Sequence, residues 1–528
     1  MSRPTYEQTA SRGWFTRFLD LVERLGNILP HPVTLFALFA LGVIVVSGIA
    51  GWLDLSVVDP RPEGARGRSP TGDIVAISLM NGDGLRRIVE NLVTNFTNFV
   101  PLGTVLVAML GVGVAEKSGL LSAMIRAVVL KAPPQLVTGA VVFAGVVSNT
   151  ASEMGYVVLI PLAAVIFHAL GRHPFAGLAA AFAGVSAGYS ANLLIGTVDP
   201  LLAGITQEAA RLIDPEYLVH PAVNWYFMIV STFVVTGVGW WVTARIVEPK
   251  LGTYDDSNAD HQALGEITTD PLTRKEVQGL WAALGATLFL TALLLLATVP
   301  TWGVLRNPVD GDLLNSPLLR GIVALIFVFF VIPGFVYGWV TGTMRSDRDV
   351  VDGMAGAMST LGLYIVLVFF AAQFVAFFGW TNLGSITAVV GADVLERINL
   401  TGPLVFIPFI LMCCLVNLSL GSASAQWAIT APIFVPMLML VGYSPEVIQA
   451  AYRIGDSTTN IITPMMSYFG LILAFAARYD RKLGIGTLVA MMLPYTIFFL
   501  IFWVTTFYLW VFVLGFPVGP AAPTYYTP

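Results

Sequence analysis

The chain has 528 residues, 27 of them basic and 32 acidic. Charged residues make up 11% and apolar residues 56%, whereas soluble domains carry roughly 25% charge. With a mean hydropathy of +0.79 and a formal net charge of −5, this composition excludes a secreted, cytosolic or nucleic-acid-binding protein and points to an all-α polytopic membrane protein.

Residues 1–31 are polar and basic, with Arg3, Arg12, Arg17 and Arg24, and read as a cytoplasmic amino-terminal segment. The first apolar run, 32–52, is long enough to span and lacks a small-residue cleavage site, so it reads as a membrane helix and not a removed signal peptide. Residues 54–90 follow as the longest polar stretch. Pro60, Pro62, Gly64, Gly67, Pro70 and Gly72 mark it as a solvated external cap. Further apolar runs of about 20 residues or more lie at 95–115, 222–244, 279–298, 321–341, 354–380 and 486–514, the length that a hydrocarbon core of about 30 Å demands.

Two stretches behave differently. Residues 134–171 and 402–441 are each too long for one span and carry a polar patch at their middle. In the first the patch runs from Ser148, Asn149 and Thr150 to Glu153; in the second it runs from Asn417 through Gly421 and Ser424 to Gln426. Two half-length helices with a polar tip at mid-membrane make a re-entrant hairpin, tolerable only where protein or water surrounds the tip. Each hairpin precedes an overlong segment, 174–206 and 445–476. A continuous helix of that length would reach ~48 Å, more than a tilted span needs. Asn192 and Asp199-Pro200 interrupt the first, Asp456, Asn460 and Pro464 the second, so both read as broken helices. Pro161, Gly171, Pro174 and Gly184 recur 271 residues later, and Asn149 and Asn192 recur as Asn417 and Asn460 at a spacing of 268. The chain therefore divides into a first half, 32–246, a cytoplasmic linker, 247–277, a second half, 278–514, and an external tail, 515–528.

Charge placement orients this arrangement. With a cytoplasmic amino terminus, nine spans and two hairpins that return to the side they entered, seventeen of the 27 basic residues fall on the cytoplasmic side and nine outside. The hairpins then open to opposite sides, the inverted repeat of many secondary transporters. The one basic residue left over is Arg453, inside the second broken helix. Glu153, Asp199 and Asp456 are the acidic residues at comparable depth. Ionisable groups there are costly unless paired or wetted, and they mark function by default. Arg453 and Asp456 share a helical face, which allows a plain structural ion pair. Glu153 equally suits a capping role at the hairpin tip. Functionally, Arg453 can hold a carboxylate, Asp199 or Asp456 can carry a proton or a cation, and Trp427 can stack on an aromatic group. Cys413 and Cys414 read as small buried residues. No cofactor motif, metal pair or nucleophile elbow is present, which leaves an enzyme without support.

The segments 25–32, 148–161, 188–200, 421–427 and 452–466 resemble the AbgT family of bacterial p-aminobenzoyl-glutamate transporters, and the resemblance covers nearly the whole chain. It implies a homodimer of nine-helix subunits with two hairpins in the bacterial inner membrane, its carboxyl terminus periplasmic. It also implies uptake of p-aminobenzoyl-glutamate or export of sulfonamide-type antimetabolites; the inverted hairpins and the deep charges point to coupling to H⁺ or Na⁺. Carried onto this sequence, the family's functional positions are Asp199, Asn417, Ser424, Trp427, Pro445, Arg453, Asp456 and Pro464. Pro445 and Pro464 also read simply as a helix start and a helix break. Ser148, Asn149, Thr150, Glu153, Asn192 and Asn460 complete the tip and break residues, and a Na⁺ site is expected near Asn417 and Asp456. A dicarboxylate or citrate carrier on the same hairpin architecture, or a channel, is the rival reading.

Overall fold

The computed structural model describes residues 30–151, 154–255, 257, 259, 271–313, 316–481 and 483–527. Glu153 and most of the amino-terminal segment lie outside the described residues, as does the middle of the linker. The described residues are mostly helical, with a single short pair of strands. Nine helices among the described residues are long and apolar enough to cross a membrane. Seven correspond to the uninterrupted runs: Pro32–Trp52 (α1), Gly82–Ser118, Trp225–Leu251, Arg274–Thr298, Ile322–Thr341, Gly362–Trp380 and Ile485–Val513. The other two are the arms of the second hairpin, Pro403–Leu420 and Ala423–Leu440. The two broken helices bring the chain across in shorter pieces.

Gly82–Ser118 divides at Asn98 and Phe99 into α2 (Gly82–Thr97) and α3 (Val100–Ser118), where Pro101 in the first turn of α3 supplies no backbone donor. The sequence places only the first half of α2, up to residue 90, in the polar cap. The helix descends along the span Gly362–Trp380, with the Arg87 guanidinium 4.4 Å from the Trp380 ring and Asn95 donating to Gln373 at 2.9 Å. The cap ahead of it holds a two-stranded antiparallel hairpin, Ser56–Val58 against Asp73–Val75. It also has a buried anchor: Arg61 binds Asp59 through two nitrogens at 2.8 and 2.6 Å and donates to the Ile213 carbonyl at 2.5 Å.

The first hairpin climbs through α4 (Val137–Ser148) into a short turn, Asn149–Ala151, and its second arm runs from a π-turn, Gly155–Leu159, into α5 (Ile160–Ala169). The first broken helix has α6 (Pro174–Phe182) continued by a π-turn to Ala187, an extended break, and α7 (Val198–Ala210). The second hairpin has α8 (Phe406–Leu420) and α9 (Ala423–Leu440), and the second broken helix has α10 (Pro445–Thr458) and α11 (Phe469–Ala477). Gly421 turns the second hairpin at φ 56°, and a Cβ there would lie 3.0 Å from the Met465 backbone. A Cβ on Gly196 would lie 3.0 Å from the Thr150 Cα, so each hairpin tip wedges into the break of its own half.

Contacts between loops sort them onto two faces. On the cap face, Ile77 donates to Thr381, Tyr443 to Thr401 and Tyr508 to Pro403. The carboxyl-terminal tail also joins this face and is not loose. Ser444 donates to the Pro523 carbonyl at 2.5 Å, Tyr526 N–H to Gly442, and Phe227 N–H to Val518. On the linker face, Arg172 grips Glu248 at 2.7 and 2.6 Å, Arg126 pairs with Glu276, and Tyr254 donates to the Tyr479 carbonyl. The first hairpin begins and ends on the linker face, the second on the cap face. The two halves are thus inverted, as the sequence leads one to expect.

Candidate functional site

All fourteen residues of α10 are buried, although Glu446, Gln449, Arg453, Asp456, Ser457 and Thr458 lie along it. A helix this polar can be buried only if its side chains find partners. Arg453, 1% exposed, donates from Nη2 to the Asp199 carboxylate at 2.5 Å and from Nε to Asn224 at 3.1 Å. Asp199 stands in the first turn of α7, and its second oxygen accepts the Gly196 N–H at 2.7 Å. The sequence left a pairing of Arg453 with Asp456 open. The structure joins it instead to Asp199, so the ion pair bridges the two halves at the breaks.

The network continues. The Asn224 oxygen also accepts from Gln449 at 2.8 Å, and its nitrogen donates to the Glu446 carbonyl at 2.8 Å. Thr206 donates to Gln449 at 2.6 Å and accepts from the Trp427 indole at 2.9 Å. The Trp427 ring stacks on Tyr452, with centroids 4.2 Å apart, and is wholly buried. Arg453 and Trp427 therefore stand within the protein, tied to Asp199, Asn224 and Thr206.

A second cluster joins each hairpin tip to its break. Asn417 donates to the Asp456 carbonyl at 2.6 Å, to Thr459 at 3.0 Å and to Asn460 at 2.8 Å. In the other half Thr150 donates to Asn192 at 2.8 Å, and Asn460 crosses between halves to the Ser186 carbonyl at 3.3 Å. Ser148 and Asn149 turn back to carbonyls of their own helix. The buried oxygens of Asn149, Ser190, Asn417, Asp456 and Ser457 accept no hydrogen bond from the described residues. Such oxygens at helix breaks suit a proton or a hard cation.

Between these clusters lies a cavity of about 320 Å³, walled by Tyr156, Tyr189, Thr197, Tyr364, the second hairpin tip from Gly421 to Ser424, Asn460 and residues 466–468. Of the expected site residues, Ser424 and Asn460 line it. Asp199, Trp427 and Arg453 form the buried network, while Asn417 and Asp456 hold the tip to the break. Pro445 opens α10 and Pro464 lies in the break that follows it.

Sequence reasoning missed Asn224, Gln449 and Thr206. Gln449 lies four residues before Arg453, on the same helical face, and was legible from that spacing. Asn224 was hidden at the start of an apolar run. Glu446 was missed among the deep acids because it follows a proline in a first helical turn, where carboxylates normally meet water. Here the Tyr217 hydroxyl donates to it, and it is 2% exposed.

Comparison with known proteins agrees with this arrangement. The model of the AbgT putative transporter family matches residues 17–526. The p-aminobenzoyl-glutamate transport protein of Escherichia coli (strain K12) is 37% identical over 499 residues, 94% of this chain and 95% of that protein. Among solved structures, Neisseria gonorrhoeae MtrF, described within a class of antimetabolite efflux pumps, superposes with a TM-score of 0.91 at 59% identity, covering 96% of this chain and all of that one. The Alcanivorax borkumensis YdaH transporter, noted for an unusual topology, gives 0.86 at 43% identity over 93% of this chain and all of that one.

Proposed function

Because this chain belongs to the AbgT family of bacterial membrane transporters, and so is not an enzyme, we propose that it is a secondary active carrier of p-aminobenzoyl-glutamate or of sulfonamide-type antimetabolites, coupled to H⁺ or Na⁺. The observation that carries this reading is the meeting of two inverted helix breaks around one cavity, lined by hydroxyl-bearing and apolar side chains, inside a membrane-spanning bundle. The relatives' printed roles supply the substrate classes. A citrate-type carrier has less support, because citrate has no aromatic group to set against the tyrosines of the cavity wall.

The buried carboxylate of Asp456, whose backbone carbonyl accepts from Asn417, is the coupling position in this reading. It can take a proton or help hold Na⁺. A homodimer in the inner membrane, with the linker face cytoplasmic, completes the proposal. The linker face carries most of the short-loop basic residues, as the positive-inside rule requires.

Flux into liposomes, with Na⁺ and H⁺ gradients imposed independently, tests it. Labelled p-aminobenzoyl-glutamate or a sulfonamide should move with one gradient, and succinate or citrate should not compete. Asp456→Asn should abolish that flux or free it from the gradient. Absence of ion-dependent movement of either solute under every gradient would reject the carrier reading.

A further inference from the structure

Among the described residues the cavity wall contains four tyrosines, Tyr156, Tyr189, Tyr364 and Tyr468, and no charged side chain. Tyr156 and Tyr468 come from opposite halves. Tyr156 stands on the π-turn of the first hairpin and Tyr468 just before α11. Their rings are parallel, with centroids 4.5 Å apart and planes at 9°. Tyr156 is 6% exposed, whereas Tyr468 is half-buried. Of the pair, Tyr468 is thus the ring a ligand can reach, and Tyr156 is its backing. The two aromatic or cationic groups most apt for an aromatic anion, Trp427 and Arg453, are engaged elsewhere: Trp427 is wholly buried against Tyr452, and Arg453 is bonded to Asp199 and Asn224.

Resting on the carrier reading above, we propose that the Tyr468 ring, held flat by Tyr156, is the platform on which the aromatic ring of the transported molecule stacks, and that this pair sets the preference for aromatic over aliphatic acyl groups. Parallel rings present a broad outer face that a third ring can continue in offset register. The hydroxyls of Ser422 and Ser424 line the same cavity and can receive the polar end of the molecule. Tyr468 is the contacting residue and Tyr156 a positioning residue.

The test compares affinities of the purified full-length protein for p-aminobenzoyl-glutamate and for an aliphatic N-acyl-glutamate of the same charge. Tyr468→Leu should weaken binding of the aromatic probe by about threefold to tenfold and leave the aliphatic one within about twofold. Tyr468→Phe, which keeps the ring, should bind as the parent does. Tyr156→Leu should act in the same direction, more weakly, and add nothing to Tyr468→Leu. Tyr468→Met provides the same readout should the leucine variant fail to fold. Equal weakening of both probes, or an unchanged aromatic preference, would overturn the proposal. An aromatic preference lost in Tyr468→Leu, in a protein whose parent shows no ion-driven flux, would uphold this site while rejecting the carrier reading.

Discussion

At the scale of single residues, the pair of Arg453 and Asp199 is the most consequential contact. Both groups are buried, and the guanidinium divides its donors between Asp199 and Asn224. Removing one partner leaves the other charge uncompensated, which costs about 3–5 kcal/mol, whereas replacing both by apolar groups is often near neutral. Asp199→Leu or Arg453→Leu alone should therefore lower the thermal transition sharply. The double substitution should recover much of the stability while flux remains absent. Thermal unfolding in detergent, read alongside liposome flux, separates the two effects. Arg453→Lys is no mild change, since a single ammonium cannot reproduce the planar fork.

His220 makes a second residue-scale case, in the loop on the cap face. Ala222 N–H donates to Nδ1 at 3.2 Å, so Nε2 carries the proton and donates to the Pro520 carbonyl at 2.9 Å. Burial pushes the imidazole down to about 4, against the upward pull of that carbonyl. Its folded value lies below its unfolded one, so the contact contributes fully above the ordinary histidine range, near 6.5, and is lost as pH falls towards about 4. Protection of the backbone amides across residues 515–527, taken relative to their intrinsic exchange rates at each pH, should fall on going from pH 7.5 to pH 5. His220→Gln should flatten that response.

At the scale of elements, the hairpin tips explain why the breaks hold their shape. Gly421 is in the left-handed region and touches the Met465 backbone. Gly421→Ala adds strain and a close contact together, so a loss of at least about 1 kcal/mol is expected, measured as a lowered thermal transition. Flux should fall with it, because the tip positions Ser424 at the cavity. The carboxyl-terminal tail is an element of the same kind. It was expected as an external tail, and it straps the start of α10 through Ser444 and Gly442. Nothing local marks this, since a run of Gly, Pro and Ala reads as a linker until its backbone groups meet partners.

At the scale of the whole molecule, the inversion of the two halves makes a direct prediction. Single cysteines introduced at Arg68 and at Arg345, in a chain whose Cys413 and Cys414 are buried, should label from opposite sides of a sealed vesicle. Labelling from one side would break the topology. Much of this level was readable beforehand. Hairpins, breaks and faces follow from apolar lengths and basic residues, because a bilayer imposes one thickness and one rule of backbone satisfaction on every segment. Arg453, Asp199 and Asp456 stood out for the same reason: charge at that depth is rare.

Sequence alone thus determined the class, the inverted architecture and the depth of Arg453, Asp199 and Asp456, since each depends on segment length and polarity in a uniform slab. The tertiary structure decided who partners whom. Arg453 meets Asp199 across 254 residues, Asn224 serves as a hub, and Tyr156 of one half lies flat on Tyr468 of the other. Those choices depend on how two inverted halves pack face to face, a three-dimensional fit that no local spacing encodes.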